Sequence, residues 1–414
     1  MDIKTLLQKH KANRSSMSLA VLCFFIFLLS CSTLFGFNIG IGTLKLSQMV
    51  FVVFCVFNMY ILKHINVAFR LVDNWTNFVV LSIIVYGIIS ISYSVNWKLT
   101  MNLLVQIVMD VVIFYVILLC FSIRPVFYRS VSRKLVIFFW LFVILTVLQY
   151  ILSFIIPSFK SDSLLGGLFG GIKPGMLFEE SNWWCNYVFF VYYAIYLEYK
   201  NGDIKKKKFY PVVVGMIIVI MLTLSRILMV LFFVHFFFYL QNRSKVLLVT
   251  IILLGVAVYY SPLPQMLLPE RYTYDLYDTD SNPRYIDSYF LINGVDKYGK
   301  EKFGFGMGTL AYMNDDLQWS GRGQNAEVGT SINVLPVQLY YDYGLVGLSF
   351  FTLLFVLSML RKSSQESKFI IFASIICCTF HMPGYMNFFW LFMGYFYFLL
   401  NIRPIHKKYE YLYS

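Results

Sequence analysis

Phe209–Leu240 reads FYPVVVGMIIVIMLTLSRILMVLFFVHFFFYL, an apolar run interrupted by Thr223-Leu224-Ser225-Arg226. Lys205–Lys208 precede it, and Arg243 and Lys245 follow it. Lys and Arg gather in the cytoplasmic flanks of membrane spans, so both ends of this run belong on the same side of a bilayer. A single crossing cannot satisfy that. A hairpin can, with Ser225-Arg226 at its outer tip. Each arm has about 15 residues, roughly 22 Å of helix, whereas a hydrocarbon core is about 30 Å thick. The tip is therefore expected below the outer surface, with Arg226 on the floor of a water-filled cavity open to the outside.

The rest of the chain follows the same logic. It is 59% hydrophobic, 19% aromatic and 13% charged, the composition of a polytopic membrane protein. Twelve spans are expected, with cores near 17–35, 46–62, 76–93, 101–123, 135–156, 182–198, 209–223, 226–240, 246–260, 340–360, 369–383 and 387–402. With the N-terminus inside and the spans alternating, the inner segments hold 23 of the 34 basic residues. That satisfies the positive-inside rule and puts both termini in the cytoplasm. The net charge of +13 is then a property of inner loops, and no nucleic acid is implied. Met17–Phe35 follows basic residues and lacks a convincing cleavage site, so it reads as a retained first span. The seven cysteines lie in or beside apolar spans without metal-ligand spacing; they read as small packing residues without a disulfide framework.

Ser261–Asp342 is the one long polar stretch, with 11 acidic and 6 basic residues, opposite in sign to the inner face. Charge parity puts it outside. The expected organisation is one all-α integral membrane domain. Residues 1–260 carry the first nine spans, 261–339 form a large, partly helical outer loop, and 340–414 carry three more spans and a cytoplasmic tail.

Candidate functional residues collect on the outer side. An arginine in a membrane is costly and defaults to a functional hypothesis, and the natural partner of Arg226 is a phosphate, which a guanidinium binds bidentately. A snorkelling or carboxylate-paired arginine is the structural alternative. Ser281-Asn282-Pro283-Arg284 has the form of a helix start, so Arg284 falls where free N–H groups already favour an anion; pairing with Asp280 or Asp287 is the alternative. Arg322 sits in a glycine-flanked turn that is either a closing arm or simply solvated. Glu179 and Glu180 end the outer loop Pro157–Ser181, as a general base of raised pKa or as ordinary helix-start carboxylates. His381, at the outer end of the eleventh span, is the only histidine on that side and suits proton transfer near neutral pH. Asp110 reads as a bundle-interior polar residue and His235 as a packing residue. Gly304-Phe305-Gly306-Met307-Gly308 lacks the context of a nucleotide loop and is expected to allow tight packing. Pro336 and Gly344 suggest a partly re-entrant or interfacial helix feeding the tenth span.

In order along the chain, several stretches resemble the Wzy-type O-antigen and exopolysaccharide polymerases and the related O-antigen ligases. They are Gly175-Met176-Leu177-Phe178-Glu179-Glu180-Ser181-Asn182, Thr223-Leu224-Ser225-Arg226, Asn282-Pro283-Arg284, Phe303-Gly304-Phe305-Gly306-Met307-Gly308 and Tyr343-Gly344-Leu345-Val346-Gly347-Leu348. Each is weakly specific; their order and the shared topology carry the likeness. The resemblance implies a membrane glycosyltransferase of the C type in the bacterial inner membrane. Its substrates would be oligosaccharide repeat units on undecaprenyl diphosphate. Its partners would be membrane lipid, a chain-length regulator and a flippase. Arg226, Arg284 and Arg322 would bind the diphosphate, and Glu179, Glu180 or His381 would take a proton. No metal or cofactor is expected. The ligases carry a histidine followed by asparagine in the outer loop; here Thr330-Ser331-Ile332-Asn333 stands in that place. That departure favours polymerase over ligase and leaves the base open. A transporter, including a flippase for lipid-linked sugars, is the alternative from another class. Two similar halves with midplane polar groups would mark one, whereas this chain is asymmetric.

Overall fold

A computed structural model describes residues 14–30, 36–38, 43–155, 181–223, 225–239, 292–307, 335–361, 364–381 and 387–405. These residues are helical apart from turns and one antiparallel ribbon, in which Gly36–Asn38 (β1) pairs with Thr43–Lys45 (β2). The ribbon was not foreseen from the sequence.

The helices are α1 (Arg14–Ser30), α2 (Leu46–Phe57), α3 (Met59–Leu62), α4 (Ile65–Leu71), α5 (Asn74–Tyr93), α6 (Trp97–Ile123) and α7 (Pro125–Ile155). They continue with α8 (Ser181–Lys200), α9 (Lys206–Thr223), α10 (Arg226–Tyr239), the short α11 (292–297), α12 (Leu335–Arg361), α13 (Gln365–His381) and α14 (Asn387–Tyr397). A π-turn, Phe398–Ile402, extends the last of them. Helix lies on every expected span core except 246–260, which is outside the described residues. Among the described residues, five helices are long and apolar enough to cross a membrane: Asn74–Tyr93, Trp97–Ile123, Pro125–Ile155, Pro336–Arg361 and Phe388–Ile405. The protein is an α-helical, membrane-embedded chain.

Local chemistry sets the helix ends. Asp73 caps α5, its carboxylate accepting from the Thr76 amide at 3.0 Å. Asn96 caps α6 through the Leu99 amide at 3.3 Å, and Pro125 opens α7, where a missing N–H costs nothing. Along α5, Phe78, Leu81, Val85 and Ile88 are exposed at three- and four-residue spacing, one helical stripe. Ile137, Leu141, Ile144, Leu148 and Ile151 make a similar exposed stripe on α7. Apolar stripes of that extent are unfavourable in water and natural against lipid.

The chain packs as two units. The first contains 1–31, 35–129 and 279–414. Helix α6 is its axis, with Ile113–Phe121 buried throughout. Helix α14 lies close against it because residue 394 is glycine: a Cβ there would come within 2.7 Å of the Phe114 carbonyl oxygen. Phe24, Phe27, Phe51, Phe54, Phe121 and Phe127 form a buried aromatic cluster joining α1, α2, α6 and the start of α7.

Basic residues mark one end of this unit. Arg124 donates to Asn58 Oδ1 at 2.9 Å. Burial lowers its guanidinium below the ordinary range to about 10, so it stays charged at neutral pH. Arg403 lies 5.0 Å from the Tyr128 ring and Arg361 lies 4.9 Å from the Trp75 ring. Tyr397 donates to Asp73 Oδ2 at 3.0 Å.

The second unit contains 32–34 and 130–278, and its described core is the remainder of α7 with α8, α9 and α10. Glu198 is fully buried and accepts from Ser132 Oγ at 2.6 Å. Trp184 Nε1 donates to Thr146 Oγ1 at 3.0 Å. His235 is buried against the rings of Tyr192, Tyr193 and Tyr196, with Tyr192 Oη 3.2 Å from Nδ1. The packing role read from the sequence fits that cage.

Candidate functional site

In the second unit, the apolar run Phe209–Leu240 is interrupted where the sequence suggested. Helix α9 ends at Thr223 and α10 begins at Arg226. Ser225 is buried, and its carbonyl accepts from the Met229 amide at 3.0 Å. It therefore stands at the N-cap, with Arg226 in the first turn. The first amides of a helix have no intrahelical acceptor, and the aligned peptide dipoles add positive potential there. Such a helix start favours anions. At 1.5 Å per residue, the 14 residues of α10 extend roughly 21 Å, less than a bilayer core of about 30 Å.

In the first unit, segment 301–307 docks onto a break in α12. Gly344 has φ 64° and ψ −166°, a backbone that only glycine adopts readily. Helical bonding stops there, and a second segment supplies the partners. The amides of Phe305 and Gly306 donate to the carbonyls of Tyr341 and Asp342 at 2.8 and 3.0 Å. In return, the amides of Leu345 and Val346 donate to the carbonyls of Glu301 and Lys302 at 2.7 and 3.2 Å. Gly304 (φ 69°) makes the approach possible, because a Cβ there would collide with the Tyr341 carbonyl and lie 2.6 Å from Asp342 C. The expected tight packing of this glycine loop and the expected interruption near Gly344 are thus one interlock.

The interlock also grips the turn between α5 and α6. The Val95 amide donates to the Phe305 carbonyl at 3.0 Å. Thr100 Oγ1 donates to the Met307 carbonyl at 2.8 Å and lies 2.7 Å from Ser94 Oγ. Residues 94–96 and 301–307 thus meet in one joint.

Asp342 lies at the centre of this joint, fully buried, and accepts from Gln338 Nε2 at 2.8 Å. Sequence reading passed over it; the signal was a Gln–Asp pair four residues apart in an aromatic stretch, Gln338-Leu339-Tyr340-Tyr341-Asp342. Asp110 is buried on α6, as a bundle-interior residue should be.

Of the six candidate residues, two fall within described segments. Arg226 opens α10 in the second unit, and His381 is the last residue of α13 in the first. Glu179, Glu180, Arg284 and Arg322 lie outside the described residues. Among the described residues, no group of three His, Cys, Asp or Glu side chains is placed to hold a metal ion. No protein-family model matches the chain, and no curated protein matches its sequence.

Proposed function

We propose that this protein is a polysaccharide polymerase of the Wzy type, with about twelve spans and a C-type glycosyltransferase architecture. It joins undecaprenyl-diphosphate-linked oligosaccharide repeat units into O-antigen or a related surface polymer at the periplasmic face of the inner membrane. The observation that carries the reading is Arg226 at the N-terminus of a short apolar helix. This is an anion-favouring point in a membrane chain whose motif order resembles that family.

In the proposed reaction, a sugar hydroxyl on one lipid-linked unit attacks the anomeric carbon of the chain held on a second. The new glycosidic C–O bond forms as the bond from the anomeric carbon to the diphosphate oxygen breaks. The hydroxyl proton passes to a base, one of Glu179, Glu180 or His381, and undecaprenyl diphosphate leaves as the anion. Arg226 and the first amides of α10 stabilise the charge developing on the leaving group, with Arg284 and Arg322 as further diphosphate ligands. The interlock at Gly344 holds segment 301–307, in the middle of the proposed outer loop, to α12.

Deletion of the gene with gel readout of surface polysaccharide tests the function. A polymerase null leaves single repeat units on the lipid core. A ligase null leaves none there, and a flippase null traps units on the inner leaflet. Complementation with Arg226→Ala is expected to cut polymerisation about 100-fold or more, the scale of one lost charge-stabilising group. Normal chain length and amount from a well-expressed Arg226→Ala protein would refute the assignment.

A further inference from the structure

A cavity of about 340 Å³ lies inside the first unit, walled by α5, α6, α12, α13 and α14. That size falls in the range of small-molecule sites, about 300 to 1,000 Å³. Val80, Ile107, Phe351, Leu354, Ile370 and Phe396 form its apolar body. Polar side chains gather at one end, where Thr76, Ser358, Ser367 and Asn401 line it. That end coincides with the basic end of the unit. Trp75 Nε1 donates to Ser358 Oγ at 3.1 Å, and the exposed Arg361 guanidinium stacks 4.9 Å from the same indole. At the opposite end the wall is Leu339 and Phe389, and none of the lining residues is charged.

We propose that this cavity holds one acyl chain of an anionic phospholipid, with the phosphate at the mouth beside Arg361. An apolar body with a single polar, cationic mouth matches a molecule that is hydrocarbon along its length and anionic at one tip. Trp75 supplies the amphipathic collar that indoles provide at headgroup level, and its stacking on Arg361 holds the guanidinium over the opening. The lipid-linked substrate of the proposed reaction does not fit this polarity, because its diphosphate belongs at the outer face and charge parity assigns Arg361 to the inner one. The site is therefore independent of the polymerase reading.

The test is native mass spectrometry of the full-length protein in mild detergent, with phosphatidylglycerol and phosphatidylcholine offered as competing probes. The wild type is expected to retain one phosphatidylglycerol in preference to phosphatidylcholine. Arg361→Ala is expected to lower that preference about fivefold, the effect of one cation near an anionic headgroup. Ser374→Phe and, separately, Val80→Phe fill the cavity and are expected to reduce retention of both lipids at least tenfold, with thermal melting confirming the fold. Equal retention of the two lipids by the wild type overturns the proposal whatever the variants do. So does undiminished retention in a folded filled variant, a retained isoprenoid lipid, or a lipid-free dimer that covers the opening.

Discussion

The Phe305 amide donates to the Tyr341 carbonyl at 2.8 Å, so a residue from a separate segment completes a hydrogen bond that an unbroken helix would have given to residue 345. The bond works only while the backbone can turn at Gly344 and the loop can come close at Gly304.

Alanine at Gly304 combines a strained positive φ with a collision against the Tyr341 carbonyl. Gly299 has the same kind of φ, 65°, but nothing within 4 Å of its Cβ position. Gly299→Ala is therefore expected to cost about 1 kcal/mol, and Gly304→Ala clearly more. Thermal unfolding of both variants in one detergent compares them; equal melting temperatures would count against the interlock.

Replacing Gly394 by leucine should force α14 away from α6, because even a methyl group there approaches the Phe114 carbonyl carbon and Cα to 3.4 Å as well as the oxygen. Overpacking of this kind costs about 1 to 3 kcal/mol. Reduced yield of folded protein by size-exclusion fluorescence is the expected outcome.

Ser132→Ala removes the 2.6 Å donor to the buried Glu198 carboxyl. A hydrogen bond of this kind contributes about 0.5 to 1.5 kcal/mol. The second unit should melt earlier in Ser132→Ala, and Ser132→Thr, which keeps the hydroxyl, should recover most of the loss.

Arg226→Lys keeps the charge at the start of α10 but loses the two-pronged geometry that suits a diphosphate. It is expected to make short chains, between the wild type and Arg226→Ala, by gel analysis of surface polysaccharide at matched expression. Full activity with lysine would mean that charge alone suffices at this position.

Topology can be read with a membrane-impermeant maleimide. Lys98→Cys and Lys297→Cys, both exposed, flank the joint between residues 94–96 and 301–307 and should label from the periplasm. Lys63→Cys and Lys368→Cys should label only after the membrane is opened. The reverse pattern would invert the proposed orientation.

Helix positions were legible because a bilayer imposes one crude requirement, an apolar run of sufficient length, and α5, α6 and α12 each begin within a few residues of the expected core. The break at Ser225 was legible because a charge interrupts such a run. Two things were hidden. Helix α7 starts ten residues before its expected core, 135–156, because its first turns carry Arg129, Arg133 and Lys134, which hydropathy reads as loop. The reciprocal bonding of 301–306 with 341–346 was hidden because both glycine motifs are locally unremarkable, and only their pairing across the fold gives either one a structure. Asp342 escaped for the same reason: a carboxylate at a span boundary reads as exposed until its Gln338 partner is seen.

The break at Gly344 also sets an order of events during synthesis. A helix interrupted near a membrane carries amides and carbonyls that lipid cannot satisfy. Their partners at 301–306 leave the ribosome about forty residues earlier, at the slow pace of translation. If the outer loop has already been exported, span ten finds its docking strip waiting on arrival. A chain truncated between residues 262 and 307 but still carrying α12 would present that helix to the membrane with its wound open.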